Sequence, residues 1–186
     1  HKGTIPLCRL SEIMKDLSDD RINVKTSTII KWEKEFLKHG KENQEKILSE
    51  IKDGKVVHVD ETSVKVNTDL HWIHTISNER GIFYTVTKKR CDRETGPLDK
   101  LASFNNVLVH DHLKSYYTLE NCQHAECNAH IQRYLQEGID FEDSEACGKV
   151  LEILQMSLHR KHELQRKGYG RMAEEEVSAI SGMMQT

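Results

Sequence analysis

Lys55-Val56-Val57-His58-Val59-Asp60-Glu61-Thr62 and Asn106-Val107-Leu108-Val109-His110-Asp111-His112 decide how the rest of the chain is read. Each is a short run rich in β-branched residues that meets a carboxylate at its C-terminal end. That is the pattern of a buried strand carrying charge to the rim of a sheet. Alone, a strand followed by Asp is ordinary turn or cap chemistry. Two such strands say more. If they are neighbours, Asp60 and Asp111 lie side by side and form half of a divalent-cation site of the kind used in phosphoryl transfer.

Upstream of the first strand the spacing is helical. Leu10, Ile13, Met14 and Leu17 share one face, Ser18-Asp19-Asp20 reads as a turn, and a second helix opens at Thr26 or Ser27. That helix carries Ile29, Ile30, Trp32, Phe36 and Leu37. A polar helix over 41–53, with Ile47, Leu48 and Ile51, leads to a stop at Gly54. A short helix, a turn and a longer helix bearing Lys31, Lys34 and Lys38 have the layout of a helix-turn-helix reader of DNA. A plain αα-hairpin fits the same spacing, and the charges there nearly balance. Residues 1–54 are therefore expected to form a helical, helix-turn-helix-like segment.

Downstream of Gly54 the period becomes two. The first strand is followed by the turn Asn67-Thr68-Asp69 and a strand over 70–76. A hairpin turn at Ser77-Asn78-Glu79-Arg80-Gly81 leads to a strand over 82–87. Lys88-Lys89-Arg90 is a basic cluster at that strand's end. Gly96-Pro97 breaks the chain before a short helix over 98–104. After the strand at 106–111 come a short helix over 113–119 and a strand at His124-Ala125-Glu126-Cys127. Helices follow, from Ala129 onward, over 144–166 and over 170–185. Three antiparallel strands, a helix, a strand, a helix, a strand and then helices is the order of the ribonuclease-H-like fold. The expected class is α/β, a mixed sheet flanked by helices. In that fold the first and fourth strands lie together at the centre, which makes Asp60 and Asp111 neighbours.

Composition narrows the functional classes. Of 186 residues, 37% are hydrophobic and 31% charged, which suits a polar chain that still buries a core. No apolar run approaches the roughly 20 residues of a membrane span, and no signal-peptide pattern opens the chain. Five cysteines at irregular spacing do not form a disulfide framework, so a reducing cytoplasmic setting is expected. A net charge of −3 argues against a uniformly basic surface and leaves local patches for nucleic acid. Lys88, Lys89, Arg90, Lys114 and Arg133 are the candidate phosphate contacts, each weighed against simple solvation. The opening His1-Lys2-Gly3-Thr4 reads as the start of an excised fragment.

With these residues in view, the chain resembles the transposase family of insertion sequence 66. The resemblance rests on Gly3-Thr4-Ile5-Pro6-Leu7 before a helical pair, on Asp60-Glu61-Thr62 with Val64-Lys65-Val66-Asn67, and on Leu70-His71-Trp72. It continues through Val107-Leu108-Val109-His110-Asp111-His112, Lys114-Ser115-Tyr116-Tyr117, and Cys127-Asn128-Ala129-His130 followed by Arg133. It implies a DDE-type transposase with an Asp, Asp, Glu triad, in which Asp60 and Asp111 are catalytic and ligate Mg²⁺ or Mn²⁺ in a two-metal site. The implied partners are double-stranded DNA at transposon ends, further copies of the chain on that DNA and accessory proteins of the same element. The implied setting is the bacterial cytoplasm, at the nucleoid.

One departure bears on activity. The family's third acid lies downstream of a helical insertion in an Asn-Asn-x-Ala-Glu-Arg context, and no such stretch occurs before Thr186. The expectation is an incomplete catalytic core over 55–140, the start of a helical insertion over 141–186 that is cut short, and a fragment inactive alone. Glu137 is the nearby substitute for the third acid, against the ordinary reading of a solvent-facing Glu on an amphipathic helix. If Glu137 served, the chain would be a self-contained ribonuclease-H-like nuclease. The remaining alternative is an inactive, transposase-derived DNA-binding module.

Other polar residues receive plainer expectations. Glu61 points away from Asp60 along a continuing strand and is expected to pair with a basic side chain. His110 and His112 flank Asp111 and serve packing or surface roles. Cys122, His124, Cys127 and His130 are four potential zinc ligands within nine residues. The Cys122-x-His124 spacing is too tight for an ordinary zinc loop, so packing or hydrogen bonding is favoured over zinc for Cys127 and His130.

Overall fold

The change from helical to alternating spacing happens across Gly54. In the computed structural model, which describes residues 5–183, helix α2 (Thr26–Lys52) ends there and strand β1 (Val56–Val66) begins. Helix α1 (Leu7–Leu17) precedes them. Gly3, Thr4 and residues 184–185 of the expected last helix lie outside the described residues. Along β1, Val57 and Val59 are buried while Val56, His58 and Asp60 are exposed, the alternation that a one-sided strand requires. The strand turns back at Asn67, whose φ of 58° lies in the left-handed region that Asn tolerates. Strands β2 (Asp69–Ser77) and β3 (Ile82–Thr87) then complete an antiparallel meander.

Asn78 fixes the second hairpin and ties it to α2. Its Oδ1 accepts from the amides of Arg80 and Gly81 at 2.8 and 3.2 Å, and its Nδ2 donates to the Ile51 carbonyl at 3.0 Å. A Cβ at position 54 would stand 2.5 Å from Nδ2, so the glycine that stops α2 also makes room for this bond.

The chain then crosses the sheet. A single helical turn, α3 (Pro97–Lys100), precedes β4 (Val107–His110), and a 3₁₀ turn (Tyr116–Thr118) precedes β5 (Gln123–Glu126). Both β4 and β5 run parallel to β1, giving the strand order β3-β2-β1-β4-β5. This is a mixed five-stranded sheet in a ribonuclease-H-like arrangement, with β1 at its centre and β4 beside it. The core cluster joins Val57, Val59, Ile76 and Leu108 from the sheet to Ile51 of α2, to Leu98, Leu101 and Phe104 of the crossover, and to Tyr116. Each fully buried aliphatic side chain contributes about 1.5–3 kcal/mol.

Helices α4 (Asn128–Glu142), α5 (Glu145–Arg166) and α6 (Glu174–Met183) follow. Asp143, with φ 48°, ends α4, and the Ser144 hydroxyl caps α5 by accepting from the Cys147 amide at 3.3 Å. The α4–α5 hairpin closes tightly because Gly138 leaves space for the Cys147 sulfur, which a Cβ would meet at 2.7 Å.

Three local expectations change. The helices expected before and after Gly40 are one helix of 27 residues. A mid-helix glycine costs about 1 kcal/mol but does not stop a helix. The helix expected over 98–104 is one turn opened by Pro97, after which Leu101 and Phe104 drop into the core. The helix expected over 113–119 is only a 3₁₀ turn, where the Thr118 hydroxyl donates to the Ser115 carbonyl at 2.7 Å. Such local bonds compete with an α-helical ladder. Among the described residues, no helix is long and apolar enough to cross a membrane.

Candidate active site

Parallel pairing of β1 with β4 aligns Val56 with Val107, Val57 with Leu108 and His58 with Val109. Two residues further along come Asp60, midway along β1 where its pairing with β4 has ended, and Asp111, just past the end of β4. They differ in environment. The Asp60 side chain is 63% exposed, and its Oδ1 accepts from the Glu61 amide at 2.9 Å. The Asp111 side chain is 10% exposed, with Oδ1 accepting from the Leu113 amide and Oδ2 from Arg90 Nη2, both at 3.0 Å.

Glu61 faces inward, with Val57 and Val59, and its side chain is 1% exposed. An inward carboxylate on a core strand needs a counter-charge, and Arg90 supplies it. Arg90 Nε and Nη2 both reach Glu61 Oε1 at 2.8 Å, while the Tyr116 hydroxyl donates to Oε2 at 2.8 Å. The guanidinium also lies 5.2 Å from the centre of the Trp72 ring, a cation–π distance. Burial, reinforced by the Glu61 charge and hydrogen bond, pushes the Tyr116 hydroxyl far up, so it remains a donor. Partial desolvation pulls Arg90 down, but Glu61 and Asp111 more than offset it and its pKa is raised.

The five basic candidates therefore divide. Lys88, Lys89, Lys114 and Arg133 are exposed, whereas the Arg90 guanidinium is held between two carboxylates. The alternation of β1 was the signal for Glu61. Nothing in the run Lys88-Lys89-Arg90 marked the third residue as its partner.

His130, in the first turn of α4, faces Asp60 with Nε2 3.9 Å from Oδ1, and its Nδ1 is buried without a hydrogen-bond partner. Cys127 occupies the N-cap of that helix and donates its amide to the His110 carbonyl at 2.7 Å, so it extends the β4–β5 pairing. Glu137 is exposed on α4, two turns beyond His130 on the same face. Among the described residues, no three His, Cys, Asp or Glu side chains gather around one metal position.

The histidines beside Asp111 part company. His110 is fully buried, its Nε2 is 2.9 Å from His124 Nδ1, and its Nδ1 contacts the Asp111 carbonyl. His112 is exposed and meets Glu126 Oε1 at 2.5 Å, an oxygen that also accepts from the Tyr117 hydroxyl at 2.8 Å. The His112 bond first, then that of Tyr117, holds the Glu126 carboxyl below the ordinary range. Cys122 lies 3.8 Å from His124 Nε2, and burial pushes its thiol up.

The strand end that delivers Arg90 is itself anchored by a buried histidine. His74 is 0% exposed and its Nε2 lies 2.7 Å from the Thr87 hydroxyl. That hydroxyl donates to the Lys89 carbonyl at 2.7 Å, so Nε2–H donates to Thr87, while the buried Nδ1 of His74 has no hydrogen-bond partner. Burial lowers its pKa, outweighing nearby Asp92 and helped by Arg90. The unfolded chain therefore takes up a proton near the ordinary 6.5, while the folded chain resists until lower pH. This contribution to stability is complete above about pH 6.5 and falls as pH drops from there through the depressed folded value. Melting temperature measured from pH 8 to pH 5 is expected to decline below about 6.5, and His74→Gln to flatten that decline. Equal acid sensitivity in the variant would contradict the assignment.

The Asp60 and Asp111 oxygens are hard donors, and Asp60 is open to water. Such a pair fits Mg²⁺ or Mn²⁺, which bind through one or two carboxylates and keep water and phosphate oxygens as other ligands. A family model described as Transposase IS66 family matches residues 1–181. Comparison with curated proteins gave no match.

Proposed function

The chain belongs to the IS66 family of transposases, and from that premise we propose that Asp60 and Asp111 are two of the three acids of a DDE-type centre that cuts and joins DNA. The observation that supports this is the parallel register of β1 and β4, which makes neighbours of the strand that carries Asp60 and the strand that Asp111 follows. A Mg²⁺ or Mn²⁺ ion, when bound, stabilises charge on the oxygens of the scissile phosphodiester. Asp60, exposed, and Asp111, fixed by two donors, are the residues that would hold it. His130 closes the other side of Asp60. Among the described residues no third acid joins Asp60 and Asp111 at one metal position, and Glu137 is the candidate within them.

Lys88, Lys89, Lys114 and Arg133 neutralise DNA phosphates, and residues 1–54 add a helical contact to DNA. Residues 55–140 are the catalytic core and 141–186 open the helical insertion. The substrate is double-stranded DNA at transposon ends, bound by more than one copy of the chain with accessory proteins of the same element, at the nucleoid of a bacterial cytoplasm.

Fluorescence anisotropy with labelled duplex DNA tests this reading. Affinity is expected to fall linearly with salt on logarithmic axes. Lys88→Ala, Lys89→Ala and Arg133→Ala each remove one cation from the DNA backbone, and each should reduce the slope by about 0.9. Binding that ignores salt, or slopes unchanged in all three variants, would sink the DNA assignment.

A further inference from the structure

We propose that Glu61 and Arg90 are positioning residues for Asp111: Glu61 pins the guanidinium, and the guanidinium fixes the plane of the Asp111 carboxylate. The inference rests on the reading of Asp111 as a cation ligand and adds the residues that hold it ready.

Glu61 follows Asp60 directly, yet it is not a second open ligand. Its side chain is 1% exposed, Oε1 is occupied by Arg90 Nε and Nη2, and Oε2 by the Tyr116 hydroxyl, all at 2.8 Å. A carboxylate so placed is a fixed post for the arginine. Trp72, its ring centre 5.2 Å from the guanidinium, restrains it from another side. From that anchored position Nη2 reaches Asp111 Oδ2 at 3.0 Å, while the Leu113 amide holds Oδ1 at 3.0 Å. Two donors, one on each oxygen, define the orientation of the carboxylate. Each oxygen keeps lone-pair capacity for a further partner, because an ionised carboxylate offers about four acceptor sites.

Charge supports the same division of labour. Glu61 and Arg90 cancel, so Asp60 and Asp111 present two negative charges to a divalent cation. With Glu61 neutral, Arg90 would turn its whole charge on Asp111 and compete with the cation. A lysine would not reproduce Arg90, because its three N–H groups sit on one nitrogen, whereas Arg90 holds Glu61 through Nε and Nη2 in a fixed plane while Nη2 also reaches Asp111.

The test is Mn²⁺ titration of the full chain, with free Mn²⁺ read by electron paramagnetic resonance, paired with crystal structures. Glu61→Gln keeps an acceptor oxygen for Arg90 and turns its amide N–H to the Tyr116 hydroxyl, which can accept in place of donating, and it is the variant chosen to retain the fold. It is expected to bind Mn²⁺ about 10–100-fold more weakly, the usual effect of losing a partner that orients a metal ligand. In its crystal structure the Asp111 carboxylate should leave the Leu113 amide. Arg90→Lys should also bind more weakly. A role limited to stability would lower the melting temperature and leave Mn²⁺ affinity untouched, and that result overturns the proposal. Binding lost as fully as in Asp111→Asn, with Asp111 unmoved, overturns it too, since Glu61 would then be a ligand. If the unaltered chain binds no Mn²⁺, the cation reading fails on its own. The crystal structure then decides positioning: Asp111 displaced in Glu61→Gln supports it, and Asp111 in place refutes it.

Discussion

Arg90→Met is expected to melt well below the unaltered chain. The substitution strands Glu61, whose side chain is 1% exposed, with one remaining side-chain bond from Tyr116. It also removes the side-chain donor to Asp111. Removing one partner of a buried ion pair costs about 3–5 kcal/mol because the other charge stays buried and uncompensated. Arg90 is itself 42% exposed, so water reaches the site and the lower end of that range applies. At roughly 2–4 °C per kcal/mol for a chain of this size, the fall is about 6–12 °C. Thermal melts followed by circular dichroism measure it. The double variant Glu61→Leu with Arg90→Met should recover much of the loss, since no buried charge is then left behind at position 61. A single-variant melt within about 2 °C of the unaltered chain would show that the ion pair is not what holds this end of the sheet.

Asp60→Asn should do the opposite, sparing stability and removing metal binding. Its carboxylate is 63% exposed and 3.9 Å from His130 Nε2, too far for a hydrogen bond. An exposed pair of that kind is worth about 0–1 kcal/mol. Asp111 ends the neighbouring strand, so removing one of two like charges relieves repulsion, and the melting temperature is expected to hold or rise. Mn²⁺ affinity, measured by calorimetry, should fall more than about 100-fold, beyond the effect of losing an orienting partner. Asp111→Asn should lose affinity as well, but with a lower melting temperature, because Arg90 loses a charged partner there. Unchanged Mn²⁺ affinity in Asp60→Asn would remove Asp60 from the site.

Most of the frame was legible because it rests on periodicity. The alternation of Val57 and Val59 announced β1, Gly54 marked the change of period, and β3 runs over 82–87 as its pattern of apolar residues indicated. The adjacency of β1, which carries Asp60, and β4, which Asp111 follows, came from strand order, which short-range pattern and connection lengths largely decide. What lay hidden was longer in range. Glu61 and Arg90 are 29 residues apart, and Arg90 and Asp111 are 21 apart. In sequence Arg90 belongs to a basic run like any solvated cluster. Only the packing of β1, β2 and the exit of β3 turns its guanidinium toward two carboxylates and Trp72. The single helix α2 was missed for a different reason: Gly40 is a weak helix former, but a Cβ there would meet nothing within 4 Å, so no tertiary contact enforces a break. Trp32 and Phe36 of α2 are 50% and 75% exposed, which spacing alone does not reveal.

The central claim is that Asp60 and Asp111 hold one divalent cation between them. Crystals of the chain soaked in Mn²⁺ and measured for anomalous scattering address it directly, with Asp111→Asn crystals treated identically. A peak between the two carboxylates that disappears in the variant is the expected result. A peak that survives Asp111→Asn, or carboxylates that diverge with no peak between them, would contradict it.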